Sequence, residues 1–284
     1  MKIAKAVRKL LKLPLTFPLQ IGFIRRRVAF ELKYRWFAEI DFQIPLSDGF
    51  GCPIAELDAL YSFSEIFTAN EYGSLLDVIS LPKRWIDLGC HAGFFTLYLA
   101  WQRAVNGQKD WNALLIDADP RMRVQTLKTL KLNRLESQCV LLWGLISSQP
   151  GERDFALRGG MGSSTDLSVG GVSEVRRVRT ISPGEILRAF PPPYDLVKVD
   201  IEGAEYDFLE NYNDVYINAS AILIEWHSSD RAGSGKDRVQ ELLEPRGFSL
   251  VKMVRPMRLT NLNEQWYSSG VQLYRRVRKS GVTI

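Results

Sequence analysis

Two glycines placed four residues apart, directly after an apolar run, suggest a binding turn. Residues 85–88 predict a buried strand, Gly89 and Gly93 predict a tight turn, and the apolar residues that follow predict the start of a helix. A glycine has no Cβ, so a ligand can approach its backbone closely, and a helix N-terminus offers unpaired N–H groups. A nucleotide-like cofactor is the usual occupant of such a turn in an open α/β sheet. Nicotinamide-dependent enzymes use a similar glycine turn, but His91 stands where their dinucleotide-binding turns have the middle glycine. The turn alone therefore does not identify the reaction.

A second acidic position follows the next apolar run. Residues 113–117 predict a strand that ends in Asp117, and Pro120 stops this strand before a helix begins. A carboxylate at the tip of this strand is well placed to accept hydrogen bonds from both hydroxyls of a ribose. The alternative is that Asp117 or Asp119 caps a helix or stabilises a turn. The glycine turn upstream favours the ribose interpretation.

Three carboxylates lie within six residues at the end of a later apolar run. Lys198 interrupts that run and Asp200 ends it, and two glutamates, Glu202 and Glu205, open the helix predicted next. Such a cluster is unfavourable unless a cation or hydrogen-bond donors offset it. Favourable charge at a helix N-terminus explains the two glutamates without any function. It explains Asp200 less well, because Asp200 is predicted at the carboxyl edge of a central strand, where open α/β sheets bind ligands.

One of the two histidines in the chain, His227, ends the strand predicted over 222–226. The expected sheet places it beside Asp200. A single histidine is often a structural hydrogen-bonding residue, and this is one interpretation of His227. Its position at the ligand edge of the sheet makes a catalytic role the competing interpretation.

The elements that must position these residues follow from strand–helix alternation after residue 81. The predicted strands are 85–88, 113–117, 139–143, 196–200, 222–226, 249–254 and 271–275, and the predicted helices are 54–67, 121–132 and 204–211. Short apolar runs are typical of parallel strands covered on both faces, and the alternation predicts right-handed crossovers. The glycine-rich interval 144–183 is predicted to be an irregular excursion with one short strand, which is either a substrate lid or a plain surface loop.

Basic charge is concentrated near residue 1. Residues 1–35 carry a charge of +9 against a total of +5, which leaves −4 for the remaining 249 residues. The acidic body argues against a nucleic-acid groove. Helical spacing of apolar and basic residues over 1–13 predicts an amphipathic helix that either lies on an anionic membrane surface or packs on its own domain. The interleaved charges argue against a secretory signal, and no apolar run reaches the length of about 18 residues that a membrane span needs.

The three cysteines are scattered and show no CxxC spacing. This pattern predicts a reduced compartment and no structural zinc site. We therefore expect a cytoplasmic protein with peripheral membrane contact through residues 1–35. No pattern in the sequence specifies an oligomeric state.

Taken together, these blocks resemble the FkbM-type family of S-adenosylmethionine-dependent methyltransferases from about residue 63 to residue 248. The resemblance is carried by 64–67 with Tyr72, by 87–95, by Asp117 with Asn133, by Gly-Ser-Ser at 162–164, and most specifically by Lys-Val-Asp-Ile-Glu-Gly-Ala-Glu at 198–205. It implies an α/β fold of the class I methyltransferase (Rossmann-like) type, a seven-stranded, mostly parallel sheet with helices on both faces and an antiparallel last strand. We expect a basic N-terminal helical arm and lead-in at 1–80 and an S-adenosylmethionine-binding methyltransferase domain at 81–284, with the excursion at 144–183.

The resemblance implies that S-adenosylmethionine is the cofactor. The cofactor-binding residues that we expect are Asp87, Gly89, His91, Gly93, Asp117 and Asp200. His91 stands where the family commonly has Asn, and Asp117 where the family more often has Glu. Because Asp is one methylene shorter than Glu, a longer or water-bridged ribose contact is expected.

The implied reaction is methyl transfer to a hydroxyl of a sugar, glycan, lipid or natural-product small molecule. An alcohol is a poor nucleophile at neutral pH and needs a positioned base, for which His227 is the first candidate and Asp200 the second. A divalent metal held by Asp200 with Glu202 or Glu225 is the alternative way to lower the pKa of the acceptor, but we assign no metal ligand. Two further alternatives are a non-catalytic cofactor-binding scaffold and a nucleic-acid methyltransferase that uses 1–35 as its electrostatic grip. The acidic body and the lack of an Asn/Asp-Pro-Pro-aromatic site argue against the latter.

Overall fold

The computed structural model describes residues 42–158, 163–165, 171–230, 232–262 and 265–277, so the arm predicted over 1–35 lies outside the described residues. The strands are β1 Phe42–Pro45, β2 Gly51–Ile54, β3 Arg84–Leu88, β4 Asn112–Asp117, β5 Cys139–Trp143, β6 Leu145–Ile146, β7 Glu152–Arg158, β8 Val172–Ile181, β9 Tyr194–Val199, β10 Ala219–Ser228, β11 Phe248–Leu262 and β12 Gln265–Arg276. The helices are α1 Leu57–Phe63, α2 Phe94–Val105, α3 Met122–Asn133, α4 Pro183–Ala189, α5 Glu205–Asn211, α6 Asn213–Tyr216 and α7 Ser234–Leu243. A π-helical turn, Ser64–Thr68, continues α1. Within these residues, no helix combines the length and the apolar character needed to cross a membrane.

Seven strands form one sheet in the order β11-β12-β10-β9-β3-β4-β5. The neighbours from β10 to β5 pair in parallel, whereas β12 is antiparallel to both β10 and β11. The predicted seven-stranded, mostly parallel sheet with one antiparallel strand is confirmed. Because parallel strands end at the same edge, the segments that follow β3, β4 and β9 meet there, and this edge is where open α/β sheets bind ligands.

Helices cover both faces of the sheet, as predicted. Successive residues of a strand point to opposite faces, and Ile86 and Val197 join a core that contains Phe208 of α5 and residues of α4, α6 and α7. On the other face, the indole Nε1 of Trp85 donates to Thr96 Oγ1 of α2 at 3.1 Å. The central strands are therefore buried on both sides, which explains why they are continuous apolar runs.

The glycine-rich interval contains more regular structure than its sequence predicts. Strands β6, β7 and β8 form a three-stranded sheet in the order β6-β8-β7, and β7 and β8 pair as an antiparallel hairpin. The prediction of an irregular excursion with one short strand was therefore wrong. The side chains of β8 are mostly exposed, so this strand shows no apolar run, and backbone pairing with β7 holds it in place.

Strand β10 is longer than predicted and contains His227. Strand β9 ends at Val199, but β12 continues to pair with β10 as far as Ser228, which lies opposite Ser268. His227 is therefore held in register opposite Ser269 instead of following the end of a strand. The antiparallel strand fixes the direction of this side chain.

Side chains of α3 attach the segment around β2 to the sheet domain. At the end of α3, Asn133 accepts a hydrogen bond from the Gly51 N–H at 2.8 Å and donates one to the Gly51 carbonyl at 2.9 Å. Gln125 accepts from the Ala55 N–H at 2.9 Å and donates to the Pro53 carbonyl at 2.7 Å. Asn133, which forms part of the family resemblance, thus has a structural role here.

The predicted boundary at 80/81, between the N-terminal arm and lead-in and the methyltransferase domain, stays a prediction.

We expect Asn133→Ala to lower the free energy of unfolding by about 1–3 kcal/mol, because it leaves the buried Gly51 N–H and carbonyl without partners. Denaturant unfolding followed by circular dichroism measures this change. Asn106→Ala is the matched control, since Asn106 also ends a helix but its side chain bonds only the exposed Gln102 carbonyl. An equal effect of the two substitutions would contradict the attachment role of Asn133.

Candidate active site

A cavity of about 310 Å³ lies at the carboxyl edge of the sheet. Its wall contains residues 89–91 after β3, 117–119 after β4 and 200–202 after β9, together with residues of the lead-in, the β6–β8 sheet and β11. Small-molecule sites commonly have volumes of about 300–1,000 Å³, so the cavity can take a ligand of that class. Four predicted site residues lie in the wall, namely Gly89, His91, Asp117 and Asp200. Three others, Asp87, Gly93 and His227, connect to the wall through neighbouring residues.

The turn after β3 requires glycine because of its own backbone surroundings. Gly89 has a φ of +71°, and a Cβ at this position would lie 1.6 Å from the carbonyl oxygen of Asp200. The N–H groups of Gly89 and Cys90 both donate to the Ile116 carbonyl, at 2.9 and 3.1 Å. Gly89 therefore allows the ends of β3, β4 and β9 to come together, a reason that the sequence interpretation, which attributed this glycine to a ligand, had missed.

His91 lies in the cavity wall and has a buried, unpaired ring nitrogen. Its φ is +47°, and its N–H donates to Asp117 Oδ2 at 2.6 Å. The ring Nδ1 is buried and has no hydrogen-bond partner among the described residues. Burial lowers the pKa of His91 to about 4, so the imidazole is neutral. It contributes to the cavity wall without adding a positive charge.

Asp117 is the buried acid at the tip of β4. Its Oδ1 accepts from the Asp119 N–H at 2.7 Å and its Oδ2 from the His91 N–H. Each carboxylate oxygen retains capacity for another donor, so hydroxyls in the cavity can bond to it. Burial raises the pKa of Asp117 to about 6.

Asp119 has a different task from Asp117. It forms a two-pronged ion pair with Arg121, with Nε at 3.0 Å from Oδ1 and Nη2 at 2.5 Å from Oδ2. The same Nη2 donates to Ser163 Oγ at 3.0 Å. The ion pair thus ties the loop after β4 to the segment that follows β7. Both acids lie in the cavity wall, but the carboxylate of Asp119 is paired with Arg121 and stabilises a turn, whereas Asp117 has no such cationic partner among the described residues.

A buried lysine joins the ends of β3 and β9. Lys198 Nζ lies 3.4 Å from Asp87 Oδ1 and 3.1 Å from Asp200 Oδ2, and it donates to the Gly89 carbonyl at 3.2 Å. Thr96 Oγ1 donates to the other oxygen of Asp87 at 2.9 Å. Burial alone would raise the pKa of Asp200, but Lys198 and other cationic neighbours lower it below its ordinary value. Asp87 is fully buried and acts on the cavity by holding Lys198.

Carboxylates surround His227. Its Nδ1 lies 3.1 Å from Glu205 Oε1, and its Nε2 lies 3.7 Å from Glu202 Oε2 and 3.6 Å from Glu225 Oε1. Burial alone would lower the pKa of His227, but Glu202 and Glu205 raise it well above its ordinary value. The imidazolium form is therefore favoured, which opposes the role of a free base. Burial raises the pKa of Glu202 to about 8 and that of Glu225 to about 7.

The sequence analysis missed Arg255 of β11. Its Nε lies 2.7 Å from Glu71 Oε1, and its Nη2 pairs with Glu225. Arg255 is almost fully buried and forms part of the cavity wall with Glu71 and Glu225. The only sequence signal for this role is a positive charge inside a strand of a sheet. That signal does not identify the partners of Arg255, because Glu71 and Glu225 lie 184 and 30 residues away.

We expect Lys198→Met to lower the free energy of unfolding by about 3–5 kcal/mol, because it leaves Asp87 in the core without a positive partner. Denaturant unfolding measures the loss. Lys83→Met is the matched control, since the Lys83–Asp110 pair is largely exposed and is worth about 0–1 kcal/mol. Adding Asp87→Asn to Lys198→Met should recover part of the loss, and no recovery would contradict the proposed charge pairing.

Comparison with known proteins identifies the family. The family model described as the Methyltransferase FkbM domain matches residues 87–250. No curated protein matches the chain.

Solved structures are similar to this chain at low identity. An O-methyltransferase from Bacillus cereus in complex with SAH is 13% identical, with 74% of this chain and 81% of that chain covered and a TM-score of 0.45. TYW2 of M. jannaschii in complex with AdoMet is 12% identical, with 84% and 88% covered and a TM-score of 0.42. These likenesses concern the fold alone. The family match spans more than half of the chain and includes both the glycine turn and the segment around Asp200. The chain therefore belongs to the FkbM family of methyltransferases.

Proposed function

We propose that the protein transfers a methyl group from S-adenosylmethionine to a hydroxyl of a polar small molecule, such as a sugar, glycan or hydroxylated natural product, or of a lipid headgroup. One observation carries the proposal. A single cavity joins the turn around Gly89 and Asp117 to the carboxylates at Asp200 and Glu202. A cofactor bound at the first end can therefore meet an acceptor at the second.

The residues at the first end suit this cofactor. Asp117 can accept hydrogen bonds from ribose hydroxyls, and His91 lies beside it in the cavity wall. The neutral imidazole adds no charge that would repel the sulfonium of the cofactor. When bound, S-adenosylmethionine supplies a methyl carbon that the sulfonium makes electrophilic.

The second end favours a polar acceptor. Its wall contains Glu65, Glu71, Glu225, Arg255 and Arg258. An apolar group placed here would desolvate charged side chains without giving them partners, which is unfavourable. A molecule with several hydroxyls can donate to the carboxylates and accept from the arginines. We therefore favour a polyhydroxylated acceptor over an alkyl chain.

The chain must align the acceptor oxygen with the methyl carbon and help the hydroxyl to lose its proton. Of the two predicted bases, Asp200 lies in the cavity wall and is about one quarter exposed. His227 lies outside the wall and favours its protonated form. Asp200 is thus the better placed of the two to contact the acceptor. An unchanged rate in His227→Ala at saturating acceptor would exclude a base role for His227.

The remaining expectations, which concern the location, membrane contact and substrate class of the protein, stay proposals. They are a cytoplasmic location, peripheral membrane contact through residues 1–35 and a substrate other than nucleic acid. The first rests on the three scattered cysteines, and the other two rest on the charge distribution along the sequence, with +9 in residues 1–35 and −4 elsewhere.

The decisive assay incubates the purified chain and S-adenosylmethionine with methyl glycosides or with 1-octanol, and measures S-adenosylhomocysteine and methylated product by mass spectrometry. We expect product with a polyhydroxylated acceptor and none with 1-octanol. Cofactor binding without turnover across a broad panel of polyols would favour the scaffold alternative. Methylation of RNA that high salt abolishes would favour the nucleic-acid alternative.

We expect Asp117→Asn to weaken S-adenosylmethionine binding about 10- to 100-fold, because a hydrogen bond to a charged acceptor contributes about 1.5–3 kcal/mol. Isothermal titration calorimetry measures the dissociation constant. Asp195→Asn is the matched control, since the Asp195 carboxylate also accepts from two backbone N–H groups, those of Lys83 and Arg84, but lies outside the cavity wall. Equal affinities for the two variants would contradict the ribose role.

The same titration, repeated at several pH values, also tests the charge of Asp117. Because burial raises the pKa of Asp117 to about 6, acidification below that value protonates the carboxyl and removes the charged acceptor. Affinity of the wild-type chain should therefore fall as pH decreases from 7 to 5, by up to about tenfold per unit below the pKa. Asp117→Asn should show a flatter dependence, and parallel curves would assign the titration to another group.

A further inference from the structure

Three side chains from two strand ends converge at the acceptor end of the cavity. Asp200, Glu202 and His227 each offer one ligand atom, and these atoms lie within 4.8 Å of one another. We propose that the three side chains bind one divalent cation. As candidate metal ligands, the sequence had indicated only Asp200 with Glu202 or Glu225, and the structure adds the imidazole of His227 to this set.

The distance between His227 and Glu202 suits a shared cation better than a direct hydrogen bond. His227 Nε2 is 3.7 Å from Glu202 Oε2, which exceeds the usual limit of about 3.2 Å for such a bond. Ligand atoms about 2.1 Å from one metal ion lie roughly 3.0–3.5 Å apart when their angle at the metal is about 90–110°. Shifts of a few tenths of an ångström would bring the two atoms to that spacing.

A buried carboxylate orients the imidazole. Glu205 is fully buried, and its Oε1 accepts from the backbone N–H groups of Ile201 and Gly203, each at 3.1 Å. The same oxygen lies 3.1 Å from His227 Nδ1. When a metal ion replaces the proton on Nε2, Nδ1 keeps its proton for this contact, and the lone pair of Nε2 is available to the ion beside Glu202. Metal-binding histidines commonly use a carboxylate in this way, which fixes the tautomer and the ring orientation.

Charge balance around the cluster is an independent reason for a cation. Among the described residues, the ion pairs that connect the cluster join six carboxylates to two side chains of fixed positive charge, Lys198 and Arg255. The carboxylates are Glu71, Asp87, Asp200, Glu202, Glu205 and Glu225. Their side chains range from fully buried to one third exposed. Carboxylates removed from water need a positive partner, a metal or a proton, and a dication supplies more positive charge here than a protonated His227 does.

The ligand set indicates the class of cation. Two carboxylates and one imidazole combine oxygen with nitrogen, which suits first-row divalent ions such as Mn²⁺ better than Ca²⁺, which prefers oxygen ligands alone. Asp200 and Glu202 belong to the cavity wall, so open coordination positions would face the acceptor.

The catalytic role of the cation rests on the proposed function, although its binding does not. In the reaction, the acceptor oxygen forms a bond to the methyl carbon, the carbon–sulfur bond breaks with its electron pair passing to sulfur, and the hydroxyl proton leaves to solvent. A dication beside the oxygen lowers the pKa of the hydroxyl. His227 then serves as a ligand, in place of the base role that the sequence predicted.

The test uses the full chain after removal of metals with a chelator. Mn²⁺ is titrated by calorimetry and by the loss of the electron paramagnetic resonance signal of free Mn²⁺. We expect one Mn²⁺ per chain and at least a tenfold weaker affinity in Glu202→Gln and in His227→Asn, because each replaces a carboxylate or imidazole ligand by a neutral amide, which binds the ion less strongly. Glu241→Gln, which changes an exposed glutamate of α7, should bind as the wild type does.

Cofactor binding in the same samples separates the two proposals. Mn²⁺ binding that depends on Glu202 and His227, without S-adenosylmethionine binding, would reject the proposed function but keep the cation site. Absent Mn²⁺ binding, or binding that both substitutions leave unchanged, would overturn the site. Full turnover in chelator by protein freed of metal would overturn the catalytic role, and restoration of turnover by added Mn²⁺ would support it.

Discussion

The ammonium of Lys198 between Asp87 and Asp200 is the interaction on which the cavity depends. Both partners end or follow parallel strands, so the lysine ties β3 to β9 at the edge where ligands bind. Its contact with the Gly89 carbonyl extends this tie to the turn. Because Asp87 and Lys198 are almost completely buried, neither charge is tolerable without the other. The lack of a Cβ at Gly89 completes the arrangement, since the Asp200 carbonyl occupies that space.

The two ends of the cavity differ in their electrostatics, and the difference follows from what each end is built of. The first end is a turn whose backbone N–H groups donate to Asp117 and leave each of its oxygens free for one more donor, and its imidazole at His91 is neutral because it is buried. The second end collects carboxylates from three separate parts of the chain, and Arg255 neutralises only some of them. A nucleoside suits the first environment, and a polar acceptor with a cation suits the second.

The fold was predictable because its central strands are buried on both faces and therefore appear in the sequence as continuous apolar runs. β8 was not, because its side chains are mostly exposed and its stability comes from pairing with β7. Asn133 shows the same limit within the family resemblance. Its type and position were recognised, but its partner is the backbone of Gly51, which lies 82 residues away. Arg255 was missed because nothing local to β11 indicates Glu71 or Glu225.

The sequence by itself determined the sheet, the glycine turn, the acids at Asp117 and Asp200, and the family to which the chain belongs. These features are local, since each depends on the order of residues within one strand and the turn that follows it. Only the tertiary structure decided which of these groups face the cavity, which charges neutralise one another and whether His227 is free to act as a base. Such properties depend on burial and on distances between strands that are remote in sequence. The pairing of β10 with the antiparallel β12 turns His227 from a residue after a strand into a member of the carboxylate cluster.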